Sequence, residues 1–284
     1  CVLGDDSGTA PLGAIIGTDL LSGGAALFDF ATPSVTIMPD VAGDAAAHAI
    51  ACEAVFGGPF FGGGTLVIGG TEVTFNGLRV AIGACLDATS ADSPEGEAGT
   101  DAMFLVSTGI GATLLARSAY DRYHDRVGDA VPSYDELTAT RTVYLASGPI
   151  VGRVGQLARL ALVAEASTDR GPCAELFENL SPPDPCDDSC PVGAVVQLEP
   201  QGGLEVLVVP DDEKLLQDLR AEVRPQLPDI DGILGTAALA AIALDVDYPH
   251  DRLIARCQGE GCVARPSVTL GTQAATAACV PATP

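Results

Sequence analysis

The stretch Met103-Phe104-Leu105-Val106-Ser107-Thr108-Gly109 decides the fold of this chain. Four apolar residues in a row predict a buried strand, and the polar pair followed by glycine predicts that the strand ends in a turn. Thr113-Leu114-Leu115 then has the pattern of a second strand. The residues from Ala116 to Tyr123 have helical spacing, with Ser118 as the candidate N-cap. The segment therefore predicts a strand, a turn, a strand and a helix in succession.

A second apolar element, Ile233-Leu234-Gly235, comes much later and is followed by a helical pattern from Thr236 to Ala241. Between the two elements, apolar runs are separated by glycine and proline, which is typical of strands joined by turns. Strands are predicted before the first element at 65–68, 71–75 and 78–82, and between the two elements at 142–146, 158–164, 193–198 and 204–209, with a helix at 211–223. Most of the chain is therefore expected to be β-structure.

Together these elements resemble the active-site hairpin and the neighbouring glycine element of the pepsin and retropepsin family of aspartic peptidases. In that family an apolar strand runs into Asp-Thr/Ser-Gly, and a later apolar-apolar-Gly element passes beside the hairpin. Asp231-Gly232-Ile233-Leu234-Gly235-Thr236 is also similar to a pattern common in bacterial members. The resemblance implies a mainly β, aspartic-peptidase-like lobe with the acid protease β-barrel fold and short helices.

The chain departs from the family at the position that carries the chemistry. The resemblance implies two aspartates, one per lobe, that share a proton over an activated water, because two adjacent carboxylates do not both ionise. Ser107 stands at the aspartate position, and a serine hydroxyl does not take up a proton at neutral or acid pH. Thr108 and Gly109 keep the turn sequence. We therefore assign no catalytic residue in this chain and expect neither a cofactor nor a metal.

A nucleophilic role for Ser107 would need a nearby base, usually a histidine that a third group orients. The three histidines, His48, His124 and His250, stand in no recognisable catalytic motif. We therefore interpret them as ordinary surface residues. The aspartates considered as calcium ligands do not fit the spacing of an EF-hand loop and suit turns and hairpin ends; they are Asp229, Asp231, Asp245 and Asp247.

Two segments of the chain match each other without a gap at a constant offset of 218 residues. Gly17 lies over Gly235, Asp29 over Asp247, and Phe30 over Tyr248. Each copy has an apolar strand end, a glycine turn, a short helical pattern and a hairpin. Self-similarity at a long period indicates duplicated units. We expect the body of the first unit to lie upstream of Cys1.

This repeat leads to three predicted regions. Residues 1–44 are the C-terminal end of a truncated first lobe, 45–258 a complete second lobe, and 259–284 a tail or linker. Lipid attachment at Cys1 is the alternative to truncation. The cysteine content predicts a location outside the cytoplasm, as secreted, periplasmic or cell-envelope material, with a lipid anchor in the second alternative.

The formal net charge is −24, and Lys214 is the only lysine. So few cations exclude binding to nucleic-acid backbones, which requires lysine and arginine to displace counterions. No apolar run is long enough for a transmembrane helix. The resemblance implies peptide or protein ligands as partners, together with the missing first lobe.

Nine cysteines in a glycine- and proline-rich β chain favour disulfides in an oxidising compartment. Zinc is the alternative for the close pairs Cys186/Cys190 and Cys257/Cys262, but both lack nearby histidine and the tighter spacing that structural zinc prefers. The disulfide pairing does not follow from the sequence.

Three functions remain open. The first is a pseudo-peptidase, impaired by Ser107, that binds extended peptide in a cleft between lobes. The second is an active aspartic endopeptidase that uses an aspartate in the upstream lobe. The third is a non-catalytic envelope scaffold.

Overall fold

The computed structural model describes residues 24–30, 34–38, 54–57, 64–68, 71–75, 80–87, 99–145, 148–163, 173, 195–223, 229–247 and 252–265. Within these residues the strands are β1 (Ala25–Asp29), β2 (Ser34–Met38), β3 (Ala54–Gly57), β4 (Gly64–Ile68), β5 (Thr71–Phe75), β6 (Ala81–Asp87), β7 (Thr100–Val106), β8 (Thr113–Ala116), β9 (Thr140–Leu145), β10 (Gly148–Leu157), β11 (Arg159–Val163), β12 (Val195–Leu198), β13 (Leu204–Val209), β14 (Gly232–Leu234), β15 (Ile242–Asp247), β16 (Arg252–Cys257) and β17 (Cys262–Arg265). The α-helices are α1 (Arg117–Val127), α2 (Lys214–Val223) and α3 (Thr236–Leu239). The prediction of a mainly β chain with short helices is confirmed.

Ten strands form one large sheet in the order β17-β12-β11-β6-β7-β14-β8-β13-β10-β9. Its two end strands, β17 and β9, do not pair with each other, and a barrel closes only when its end strands pair. The described strands therefore form an open sheet, and the expected closed barrel is not found. Most of β9 is exposed to solvent, in keeping with its position at the edge.

The core lies around the central strands of this sheet and the inner face of α1. The four residues from Ala102 to Leu105 are all buried in β7, because both faces of that strand are covered. Tyr120 and Tyr123 of α1 are fully buried, and Gly155 of β10 lies against the Tyr120 ring, where a Cβ atom would come within 2.9 Å of the ring. The apolar run that predicted β7 thus marks the centre of the core.

The two repeated hairpins pair with each other in a second, five-stranded sheet of order β2-β1-β15-β16-β3. β1 pairs antiparallel with β15, so that Ala25 lies opposite Asp247 and Leu27 lies opposite Asp245. With the offset of 218 residues, Leu27 and Asp245 are equivalent positions. An approximate two-fold axis therefore passes through this pair of residues and relates the two copies.

Several strand predictions agree with the structure, and others need correction. The β4–β5 hairpin and β13 are found as predicted. β6 begins at Ala81 and runs to Asp87, later than predicted. β10 was missed, because its glycines and Pro149 interrupt the apolar pattern. β17 lies in the segment assigned to the tail, but it pairs with β12 inside the large sheet.

Two disulfides are present in the described residues, Cys85–Cys173 and Cys257–Cys262. The second joins the end of β16 to the start of β17 and so links the small sheet to the large one. This bond removes the zinc alternative for Cys257 and Cys262, while Cys186 and Cys190 lie outside the described residues. The described residues contain no group of three or more metal-ligating side chains.

Tyr120 gives a prediction about alkaline stability. Its hydroxyl donates a hydrogen bond to the Pro132 carbonyl at 3.0 Å, and burial raises the pKa of this phenol from 10.0 to about 12. Because the folded state holds the proton more tightly, this contribution to stability is complete below pH 10 and is lost as the pH rises toward 12. The free energy of unfolding should therefore fall less steeply over this range in Tyr120→Phe than in the unaltered protein. Denaturant titrations at a series of pH values measure the free energy of unfolding. An equal fall of this free energy with pH in both proteins would contradict the prediction.

Candidate functional site

The candidate site is built where β14 lies between β7 and β8. Ile233 pairs in parallel with Leu105 of β7 and antiparallel with Leu114 of β8. Leu234 pairs with Val106, the last residue before the Ser107 turn. The structure thus brings together the hairpin and the glycine element that the sequence singled out, although they are far apart in the chain.

Gly232 and Gly235 of this element are required because a larger residue would not fit at either position. A Cβ atom at Gly235 would lie 2.1 Å from the Ala112 carbonyl oxygen, and one at Gly232 would lie 2.3 Å from the Leu114 carbonyl oxygen. The backbone at Gly235 has φ −94°, which any residue adopts. Close approach of two backbones, and not an unusual conformation, therefore explains glycine at this position.

Ser107 sits at the open end of this arrangement. Its backbone N–H donates to the Leu234 carbonyl at 3.0 Å, so the turn is tied to the glycine element. Its hydroxyl oxygen accepts a hydrogen bond from the Gly109 N–H at 3.3 Å. Ser107 and Gly109 are half-buried, and Thr108 is exposed. The turn presents a hydroxyl to solvent where the resemblance implies a carboxylate.

Two threonines, Thr113 and Thr236, make hydrogen bonds next to the turn, and the sequence did not mark either as part of the site. Gly235 N–H donates to the hydroxyl oxygen of the buried Thr113 at 3.4 Å. Thr236 donates its backbone N–H to the Ile110 carbonyl at 2.8 Å, and its hydroxyl reaches the same oxygen at 3.3 Å. The only sequence signal for Thr113 was a polar residue at the start of an apolar strand.

The buried carboxylate of Asp231 connects the hairpin to α1. Asp231 is 8% exposed; its Oδ2 accepts a hydrogen bond from the Met103 N–H at 3.0 Å, and its Oδ1 lies 2.8 Å from Nη2 of Arg122 on α1. Its backbone also pairs with Met103 and with Ala116, on both strands of the hairpin. Asp231 is therefore a positioning residue that fixes β7, β8 and α1 relative to β14. It lies within no cluster of metal-ligating residues in the described part of the chain.

The helix that follows the hairpin is capped from another part of the chain. The sequence predicted Ser118 as the N-cap, but the N-cap residue is Ala116, which has no side chain that could cap the helix. The carboxylate of Asp211 caps the helix instead, because it accepts hydrogen bonds from the N–H and the hydroxyl of Ser118 at 3.1 Å and 2.5 Å. Arg220 of α2 lies 3.7 Å from the same carboxylate. The negative charge is favourable there because helix N-termini carry a partial positive charge.

His124 does not supply a base for Ser107. Its Nδ1 is 2.8 Å from the Val131 carbonyl oxygen, at the far end of α1 from the turn. Among the described residues, the hydrogen bond at the Ser107 hydroxyl comes from a backbone N–H and not from an imidazole. His48 and His250 lie outside the described residues.

One cavity of about 450 Å³ lies elsewhere. It is lined by the end of β10 and the turn after β12, including Leu157, Arg159 and Glu199. Arg159 is almost fully buried, and its Nη1 lies 2.9 Å from Glu199 Oε1. No residue of the Ser107 turn lines this cavity, so it is separate from the candidate site.

Comparison with known proteins adds no further assignment. No protein-family model matches the chain, and the search of curated proteins found no match. In the part of the chain that the structure describes, no helix has the length and hydropathy needed to cross a membrane.

Proposed function

We propose that this chain is an aspartic-peptidase-like protein that is catalytically impaired at Ser107 and binds peptides in extended conformation. The observation that carries the proposal is the interlocked hairpin. β14 lies between β7 and β8, its glycines fit against the hairpin backbone, and the turn that would carry the aspartate ends in Ser107-Thr108-Gly109. These contacts support the proposal, and the turn carries no carboxylate.

The chemistry supports impairment at this position. The Ser107 hydroxyl accepts from its own turn, and it neither stores a proton nor activates water at acid pH. A single general acid-base group contributes about 10²–10⁴-fold to a rate, and coupled groups lose more than the sum. Peptide binding does not need the carboxylate, since extended peptides are held mainly by main-chain hydrogen bonds.

The first test is cleavage of a peptide library between pH 3 and 7. We expect no cleavage by the unaltered chain, because the turn lacks a carboxylate. Ser107→Asp restores the carboxylate, and Ser107→Asn is the control of matched size without one. Activity in Ser107→Asp alone would show that one residue disables the site. Cleavage by the unaltered protein would overturn the proposal.

The second test is binding of the same labelled library without turnover. Thr108 is exposed beside Ser107, so Thr108→Trp should block the surface next to the turn and weaken binding at least tenfold. Thr142→Trp, at an exposed position on the edge strand β9, is the control and should bind as the unaltered protein does. Absence of binding by the unaltered chain would remove the peptide-binding proposal and leave a scaffold role.

A further inference from the structure

The cavity beside Arg159 is formed at a bend of the chain between β10 and β11. The bend lies at Ala158, and the turn 199–203 between β12 and β13 forms a second wall of the cavity. Residues 130–132, which follow α1, form a third wall. With a volume of about 450 Å³, the cavity lies within the range that is usual for small-molecule sites.

Two of these walls are fixed by hydrogen bonds to other parts of the fold. The Ala158 N–H donates to the hydroxyl of Tyr123 at 3.1 Å, and Tyr123 is fully buried. The Glu199 N–H donates to the Gly261 carbonyl at 2.6 Å, which ties the turn to the start of β17. The shape of the cavity is therefore set by the fold itself, so that a ligand is bound without the cost of ordering its walls.

The cavity combines apolar surface with one ion pair. Its apolar wall is formed by Val131, Leu157 and Pro200. Of the described residues that line the cavity, the charged ones are Arg159 and Glu199, and Arg159 Nη1 donates to Glu199 Oε1 at 2.9 Å. The arginine side chain is 5% exposed and the glutamate side chain 37%. A ligand therefore reaches the carboxylate more readily than the guanidinium.

The arrangement of this ion pair favours a cationic ligand. A carboxylate has two oxygens and accepts about four hydrogen bonds, so the contact with Arg159 leaves Glu199 able to accept from a ligand. Hydrogen bonds between charged partners are stronger than those between neutral groups, and the net charge of −24 attracts cations to the protein. An anion would instead be repelled by Glu199 before it reached the buried guanidinium.

We propose that this cavity binds a small organic cation. Its amine, amidine or guanidine group donates to Glu199, and its apolar body lies against the apolar wall. Arg159 is the positioning residue that holds the carboxylate at the cavity. No residue of the Ser107 turn lines the cavity, so this site is independent of the proposed peptide binding.

The test is calorimetric titration of the full 284-residue chain with benzamidine, which carries a planar cation on an apolar ring. A salt concentration of about 0.15 M screens diffuse attraction to the acidic surface. Benzamide has nearly the same shape without the charge, and benzoate has the opposite charge. We expect saturable binding of benzamidine, at least tenfold tighter than that of benzamide, and no binding of benzoate.

Three variants locate the site. Ala158→Trp places a large side chain at an exposed position of the cavity wall and should weaken benzamidine binding at least tenfold. Ala139→Trp is the matched control, because Ala139 is also exposed but does not line the cavity, and it should bind as the unaltered protein does. Glu199→Gln keeps an oxygen that accepts from Arg159 but removes the negative charge, so it should bind benzamidine and benzamide about equally.

Three outcomes would overturn the proposal. The first is no saturable binding of benzamidine by the unaltered protein. The second is undiminished binding by Ala158→Trp, which would place the cation elsewhere on the acidic surface. The third is tighter binding of benzoate than of benzamidine, which would make Arg159 the group that recognises the ligand. Circular dichroism checks the fold of each variant, and the two tryptophan variants decide the result even where Glu199→Gln does not fold, because they leave the ion pair intact.

Discussion

Replacing Gly235 with alanine should destabilise this protein by about 3 kcal/mol or more, at the upper end of what overpacking costs. The added Cβ atom would lie 2.1 Å from the Ala112 carbonyl oxygen and 2.7 Å from that of Ile110. Both are backbone atoms, so no side chain can rotate away from the clash. Relief requires the loop between β7 and β8 to move, which would also disturb the hydrogen bond from Ser107 N–H to Leu234.

Gly111→Ala is the control for this prediction, because a Cβ atom there meets no atom within 4 Å. Denaturant unfolding of the two variants and the unaltered protein measures the difference. We expect Gly111→Ala to stay within about 0.5 kcal/mol of the unaltered protein, as exposed positions usually do. A Gly235→Ala protein of unaltered stability would show that β14 does not lie between the hairpin strands as described.

Loss of the Cys85–Cys173 disulfide should cost about 4 to 5 kcal/mol, roughly twice the cost of losing Cys257–Cys262. The first bond closes a loop with a sequence separation of 88 residues, whereas the second bond closes a loop with a separation of only 5 residues. Cross-linking lowers the conformational entropy of the unfolded chain more when the loop is longer. The first bond is also buried, with Gly99 lying directly against both sulfur atoms.

Paired alanine variants, Cys85→Ala with Cys173→Ala and Cys257→Ala with Cys262→Ala, test this ranking by equilibrium unfolding. Each pair removes both thiols, so that no unpaired cysteine remains to form a new bond at these positions. Equal losses, or a larger loss for the short loop, would show that the link between the two sheets at β16 and β17 matters more than loop entropy.

The sequence predicted those parts of the fold that depend on continuous local patterns. The apolar run before Ser107 is unbroken and lies in a buried strand, and the run Leu204–Val209 is a buried strand interrupted only by the exposed Glu205. β10 could not be recognised, because Gly152 and Gly155 make room for Leu207 and Tyr120, neighbours that only the folded chain reveals. The sheet remained open although a barrel was expected, because closure depends on strand tilt and pairing at both ends and not on local pattern.

The turn of the candidate site could be predicted from the sequence, but the residues that hold this turn in place could not. Ser107-Thr108-Gly109 and Ile233-Leu234-Gly235 were found by motif, and the structure places them side by side. Asp211 could not be found in this way, since it caps α1 from a distant loop, 93 residues from Ser118. Asp231 was interpreted as a turn residue, and its contact with Arg122 became visible only in three dimensions.

The approximate two-fold axis of the small sheet has a consequence for molecular recognition. Leu27 faces Asp245 at the axis, and Asp245 lies 2.8 Å from Arg256, whose counterpart in the first copy is Met38. Two second copies joined in this register would place one buried Asp245 against another, which like-charge repulsion and desolvation strongly oppose. The unlike pair buries only one carboxylate, which the ion pair with Arg256 offsets, and brings no second negative charge against it. A single acidic residue at the axis therefore makes the duplicated hairpins prefer each other and discourages self-pairing of the second copy between molecules.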